Sequence, residues 1–111
     1  MGLPGGRVDA VFDALGDASR RTLVREIAAR GDATATELAA ELPVTRQAVA
    51  KQLSALADAG LLRATRSGRE TRYAVTPEPF GDAVDWMVEV GARWDERLAM
   101  LGRSLTGRAR R

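Results

Sequence analysis

Three polar side chains, Gln47, Lys51 and Ser54, follow one another at steps of four and three residues. If this stretch is helical, a turn of about 100° per residue places all three on one face. Their amide, ammonium and hydroxyl groups can hydrogen-bond to base edges and phosphates, and no carboxylate interrupts the face before Asp58. The pattern therefore indicates a face that approaches a polyanion, although an ordinary solvated helix face is also polar.

A second group of cationic side chains lies in the segment that follows. Alternation over Leu62–Ser67 and Glu70–Val75 predicts a β-hairpin whose turn is either Ser67-Gly68 or Gly68-Arg69. Its four arginines are Arg63 and Arg72, predicted to point outward, and Arg66 and Arg69, predicted to flank the tip. Like charges this close repel one another, and a phosphate backbone would relieve that repulsion. The alternative is an edge hairpin that its charges keep soluble.

Positive charge is concentrated in particular parts of the chain. Residues 46–72 carry six basic and two acidic side chains, and residues 103–111 add four arginines. The rest of the chain has seven basic and thirteen acidic side chains, so the net charge is only +2. A cationic region over an acidic scaffold is typical of proteins that bind nucleic acid through one defined face.

The composition excludes several kinds of chemistry. The chain has no cysteine and no histidine, so disulfides, thiolate or imidazole metal sites and histidine acid–base catalysis are impossible. Carboxylates of the last predicted helix, which could hold a hard cation, fit a solvated face better; they are Asp82, Asp85, Glu89, Asp95 and Glu96. Catalysis would depend on carboxylates, Lys51 or Tyr73, and no pair of them forms a convincing site pattern. We therefore expect no enzymatic activity, no metal and no cofactor.

Length and hydropathy predict one domain. A chain of 111 residues is long enough for one core, and it has no apolar run near the roughly 18 residues of a membrane span. The first residues, MGLPGGR, lack the apolar segment of a signal peptide, so we expect a cytoplasmic protein. We expect residues 1–6 to be disordered, residues 7–102 to form the domain, and residues 103–111 to be a basic, disordered tail.

Local signals predict four helices before the hairpin. The first spans about Val8–Leu15, and the second spans about Ala18–Arg30 with Asp17 as its N-cap. Thr34 and Glu37 fit a capping box that opens a third helix, which ends near Leu42. After the turn at Pro43-Val44, Thr45 caps a fourth helix, Arg46–Ala59, which buries Val49, Leu53 and Leu56. Two short helices, a tight turn and a basic hairpin predict a mainly α, α+β fold, the winged helix-turn-helix.

A fifth helix is predicted from Pro77 or Pro79 to Leu101 or Leu105. Its apolar residues follow a heptad spacing, typical of helices that lie along each other: Phe80, Val84, Met87, Gly91, Trp94, Leu98 and Leu101. We expect this strip to join two copies of the chain, with Val8, Val11 and Phe12 of the first helix contributing. Trp86 and Val90 form a second apolar strip. The alternative is that the long helix folds back on a single subunit.

Three pieces of the sequence together resemble one family. They are ALGDASRRTLV, ELAAELPVTRQAVAKQLSALADAGLL and GRETRYAV, within a similarity that covers about residues 8–101. They resemble the arsenic-repressor (ArsR/SmtB) family of bacterial winged-helix regulators. The resemblance implies a homodimer joined through its first and last helices. It also implies double-stranded DNA as a partner, usually an inverted repeat at a promoter, and most often repression of transcription.

The resemblance also implies which residues contact DNA. They are Thr45, Arg46, Gln47, Ala50, Lys51 and Gln52 on the recognition helix, and Arg66, Arg69 and Arg72 in the wing; the polar face adds Ser54. We expect Arg46 and Gln47 to contact base edges, and Lys51, Gln52 and the wing arginines to hold phosphates. Metal-sensing members use Cys or His clusters, so this chain resembles the branch without them. The alternative function is a winged helix that docks an acidic protein.

Overall fold

The computed structural model describes residues 6–109, with side chains described as far as Arg103. In this range the helices are α1 (Gly6–Leu15), α2 (Ala18–Arg30), α3 (Ala35–Glu41), α4 (Arg46–Asp58) and α5 (Pro77–Ala109). The strands are β1 (Ala33–Thr34), β2 (Leu62–Ser67) and β3 (Glu70–Val75). The predicted winged helix-turn-helix is confirmed, and most of the predicted boundaries agree within two residues.

Capping side chains explain where three of the helices begin. Asp17 accepts a hydrogen bond of 2.7 Å from a backbone N–H two residues ahead, and Thr45 accepts one of 3.1 Å from three residues ahead. Thr34 and Glu37 form a reciprocal capping box, with side chain to backbone distances of 3.1 and 2.9 Å. Each bond satisfies an N–H that has no partner within its helix. The structure has all three predicted N-caps.

The strands form one antiparallel sheet in the order β1-β3-β2. Ser67 lies opposite Glu70, so the turn that the sequence left open is Gly68-Arg69. Gly68 has a φ of 62°, the left-handed value that a type II′ turn requires at its first central position. The strand β1 was not predicted, because two residues are too few to show an alternating pattern.

The core is formed mainly by one face each of α2, α3 and α4 and by the base of the hairpin. Its largest buried side chains there are Leu23, Ile27, Leu38, Val49, Leu53, Leu56, Leu61 and Leu62. Full burial of such a side chain contributes about 1.5–3 kcal/mol relative to exposure. Because α4 packs through Val49, Leu53 and Leu56, its opposite face is left in solvent.

The first helix packs between α2 and α5. Val11, which we expected at a contact between two copies, is fully buried inside the subunit and has no surface left for a partner. A direct contact between Val11 and a second copy does not fit this burial, because α2 and α5 already cover the side of α1 on which Val11 lies. Phe12, by contrast, is 36% exposed and packs edge to face on Trp86 at 5.4 Å between ring centroids.

The far half of α5 extends beyond the core. Every residue from 92 to 103 is exposed, and the subunit measures 72 × 34 × 22 Å. The helix continues to Ala109, so the predicted tail of residues 103–111 is helical over 103–109. Arg, Leu and Ala favour a helix there and no proline stops it. The predicted disorder of residues 1–5 and 110–111 lies outside the described residues, whereas Gly6 belongs to α1.

Within residues 6–109, no helix combines the length and the apolar character needed to cross a membrane.

Candidate nucleic-acid interface

The outer face of α4 carries polar and cationic side chains. Gln47, Lys51 and Ser54 are all exposed and lie on the side opposite the buried Val49 and Leu53. No acidic residue lies in the first turn of this helix, and its first acidic residue is Asp58, at the C-terminal end. An α-helix of this width fits the major groove of B-form DNA, where amide and ammonium groups can meet base edges and phosphates.

The N-terminus of α4 is held by two side-chain hydrogen bonds. Thr45 caps the helix, and the Nε of Arg46 donates a 2.9 Å bond to the hydroxyl of Thr36 in α3. Arg46 remains exposed, so the bond directs its guanidinium toward the start of α3 without removing it from solvent. The structure thus places Thr45 and Arg46 beside helix N–H groups, which themselves attract phosphate.

The hairpin of β2 and β3 presents exposed arginines. Arg63, Arg66 and Arg69 are exposed, and in the described part of the chain none of them forms a salt bridge. The Nε of Arg66 donates a 3.1 Å hydrogen bond to the carbonyl of Gly68, which holds its stem along the turn. These three guanidinium groups are available to an external anion.

Arg72 differs from the other hairpin arginines. Its guanidinium lies 2.9 Å from a carboxylate oxygen of Asp32, 3.1 Å from one of Glu37 and 3.2 Å from one of Glu70. The hydrogen bond from Arg72 holds the pKa of Asp32 below its usual value, and these carboxylates raise the pKa of Arg72. The pKa of Glu37 is lowered mainly by the backbone N–H of Thr34 and further by Arg72. The prediction that Arg72 holds a phosphate therefore does not fit its surroundings.

Comparisons with known proteins agree with this geometry. A family model for a helix-turn-helix domain matches residues 15–65. The uncharacterized HTH-type transcriptional regulator YuzN of Bacillus subtilis (strain 168) is 38% identical in an alignment of 90 residues that covers 76% of this chain and 98% of that protein. An ArsR-like transcriptional regulator from Rhodococcus sp. RHA1 superimposes with a TM-score of 0.71 and 39% identity, covering 86% of this chain and 89% of that one.

The chain belongs to the ArsR family of winged helix-turn-helix transcriptional regulators. It is a DNA-binding protein of that family. The structure of a homodimeric winged helix-turn-helix DNA-binding domain, Mb0332 from Mycobacterium bovis, also superimposes, with a TM-score of 0.60 and 25% identity. That similarity covers 83% of this chain and 82% of the Mycobacterium domain.

In this ArsR-family regulator, two α4 residues that the family resemblance assigned to DNA contact are less exposed to solvent than the other predicted α4 contacts. Ala50 is half-buried against the core, and Gln52 is half-buried toward α2. The side-chain oxygen of Gln52 accepts a 2.9 Å hydrogen bond from the Nε of Arg20. This contact turns Gln52 away from the stripe of Gln47, Lys51 and Ser54, so a phosphate contact by Gln52 does not fit the structure.

Sequence reasoning missed the residues that hold this interface in place. Thr36 supports Arg46 from ten residues away, Arg20 supports Gln52 from 32 residues away, and Asp32 holds Arg72 from 40 residues away. Periodicity and capping patterns report on neighbours within a few positions, so they carry no signal for such pairs. One signal in the sequence for the contact of Arg72 was the excess of carboxylates near Thr34, because carboxylates do not contribute to a surface that binds DNA.

The carboxylates of α5 are partly neutralised within the subunit. Asp82 forms a 3.0 Å ion pair with Arg7, and Glu89 forms a 2.9 Å pair with Arg93. Among the residues that the structure describes, no three carboxylates converge on a position that could hold a metal ion.

Proposed function

We propose that this ArsR-family regulator is a homodimeric repressor of transcription that binds an inverted-repeat operator. The observation that carries the proposal is an uncovered apolar strip on α5, in the same subunit as a cationic recognition helix and wing. Val84, Met87, Trp94, Leu98 and Leu101 are each between 47 and 58% exposed. A patch of large apolar side chains on one helix face marks a protein contact, because such surfaces rarely remain in water.

The charges of α5 support a second copy as the occupant of this strip. Residues 77–92 carry four acidic and no basic side chains, whereas residues 93–109 carry four arginines and two acidic residues. Two such helices that pack antiparallel around a two-fold axis bring the acidic part of each next to the basic part of the other. The homodimeric Mycobacterium domain provides a precedent among similar structures.

The symmetry of the dimer then determines how it binds DNA. Two α4 helices about 34 Å apart enter successive major grooves on one side of the duplex. Arg46 and Gln47 contact base edges, since arginine pairs with guanine and glutamine with adenine. Lys51, Arg66 and Arg69 hold phosphates, which supply affinity without sequence choice. Bound at a promoter, the dimer excludes RNA polymerase.

Thiolate or imidazole metal ligands do not detect the signal that releases this regulator from its operator. The chain has no cysteine and no histidine, and these are the residues that bind soft and intermediate metal ions in proteins. We infer that this regulator responds to another input, and that adding zinc, cadmium or arsenite leaves its operator affinity unchanged.

Selection of bound fragments from the native genome, followed by footprinting, tests the proposal. We expect one protected inverted repeat whose half-sites are about one helical turn apart. If roughly six to ten phosphates are neutralised, affinity falls about 10³–10⁵-fold between 50 and 200 mM salt. A regulator that binds neither genomic nor random duplex DNA at low salt would instead be a docking module for an acidic protein.

A further inference from the structure

One guanidinium joins three separate parts of this subunit. Arg72 lies on β3 and contacts Asp32, Glu37 and Glu70 within 3.2 Å. Asp32 lies in the connection between α2 and β1, Glu37 lies in the first turn of α3, and Glu70 begins β3 beside the wing turn. Arg72 therefore connects the wing to the first helix of the helix-turn-helix.

The backbone attachment of the wing at this point is small. β1 has only two residues, and Thr34 is the partner of Arg72 in the pairing with β3. Thr34 is also the N-cap of α3, and its N–H donates to the same Glu37 oxygen, Oε1, that Arg72 contacts. The side-chain contacts of Arg72 thus reinforce a two-residue strand pair at the place where the wing meets the body.

We propose that Arg72 is a positioning residue that sets the angle between the wing and the recognition unit, and that it does not contact a phosphate. The inference depends on the proposed function, because the wing angle matters only if Arg66 and Arg69 meet DNA. Both terminal nitrogens of Arg72 are already engaged. The three carboxylates outnumber the single cation, so the cluster as a whole repels a phosphate.

The substitution Asp32→Asn distinguishes a positioning role of Arg72 from a phosphate contact, because the two roles predict opposite changes in operator affinity. If Arg72 positions the wing, the loss of this charged partner loosens the wing and weakens operator binding about three- to tenfold. If Arg72 is instead a phosphate contact, the substitution removes one of the three carboxylates that compete with the phosphate for its guanidinium. Binding would then become tighter, and that result would overturn the proposal.

Asp58→Asn is the matched control. Asp58 is an exposed aspartate at the end of α4, and among the described residues it forms no salt bridge. Its substitution removes the same charge without touching Arg72, so it measures the long-range Coulomb effect alone. We expect Asp58→Asn to leave affinity unchanged or to raise it slightly at low salt, while Asp32→Asn lowers it.

A distance measurement tests the positioning role without DNA. The chain has no native cysteine, so spin labels at Ser67→Cys and Ala40→Cys report only the span from the wing tip to α3. Labelled subunits diluted in unlabelled protein keep the signal within one subunit. We expect a narrow distance distribution that broadens or shifts in Asp32→Asn and is unchanged in Asp58→Asn. An unchanged distribution in Asp32→Asn would overturn the positioning role, whether or not the protein binds an operator.

Discussion

The Nε of Arg20 in α2 donates a 2.9 Å hydrogen bond to the side-chain oxygen of Gln52 in the recognition helix. Gln52 lies only one residue beyond Lys51, yet its side chain is directed toward the protein and not toward the exposed stripe. The contact fixes α4 against α2, so we expect it to affect the position of the recognition helix and not its contacts with bases.

Substitutions at Gln52 and Gln47 should therefore have different effects. Gln52→Ala removes the acceptor of Arg20 and should lower the free energy of unfolding by about 1 kcal/mol, with base preference unchanged. Gln47→Ala, on the exposed face, should relax base preference at one position per half-site and leave the free energy of unfolding unchanged. Urea unfolding and binding to operators with single-base changes measure both. A changed base preference in Gln52→Ala would contradict this assignment.

Substitutions at Leu98 and Met100 test which face of α5 is covered in the proposed dimer. Their exposed fractions are similar, 57 and 64%, but two residues of an α-helix are separated by about 200°, so they point to opposite sides. Leu98→Glu places a carboxylate in the proposed apolar contact and should raise the dimer dissociation constant more than about 100-fold. Met100→Glu should leave it unchanged. Sedimentation equilibrium measures the dimer dissociation constant of the two variants. Equal dissociation constants would show that the apolar strip is not the dimer contact.

Gly68 should be required for a rigid wing. Its φ of 62° is unfavourable for a β-branched residue, so Gly68→Val should cost about 1–2 kcal/mol in the turn. Because the hairpin tip can open locally, we expect this cost as a loss of DNA affinity of roughly 5- to 30-fold for each wing of the proposed dimer, with little change in the urea midpoint of the helices. Ser67→Thr, at the neighbouring strand position, is the control and should bind normally. Normal binding by Gly68→Val would indicate that the wing does not meet DNA.

Acid should weaken the fold through the carboxylates around Arg72. The pKa values of Asp32 and Glu37 lie below their ordinary values of 3.8 and 4.5. Their stabilisation is therefore fully present above about pH 4.5 and is lost as the pH falls through the lower folded-state values. Without histidine, the free energy of unfolding should vary little between pH 5.5 and 7. Urea unfolding from pH 2.5 to 7 measures this, and Asp32→Asn should show a smaller loss below pH 4.5 than the wild type.

Local patterns in the sequence were enough to predict the helices and the hairpin. Asp17, Thr34 and Thr45 cap their helices through atoms two or three residues away, so the required residue types appear next to one another in the chain. The apolar spacing of Val49, Leu53 and Leu56 likewise determines which face of α4 is buried.

The environment of individual side chains could not be predicted in the same way. Arg69 and Arg72 are both hairpin arginines, and alternation alone cannot show that only the second meets Asp32 and Glu37. Val11 has the spacing of an interface residue, but whether an apolar face meets its own core or a second copy depends on the docking of α2 and α5. These outcomes depend on contacts between residues far apart in sequence.

The length of α5 has a consequence for how operator occupancy depends on protein concentration in the cell. Residues 92–103 of its far half are exposed in the single subunit, so in the proposed homodimer the association of two copies would stabilise that half, and the extent of association would depend on protein concentration. Operator occupancy should then rise with the square of the subunit concentration when the protein is scarce. A promoter under such control would switch over a narrower range of protein copy number than one that a monomer occupies.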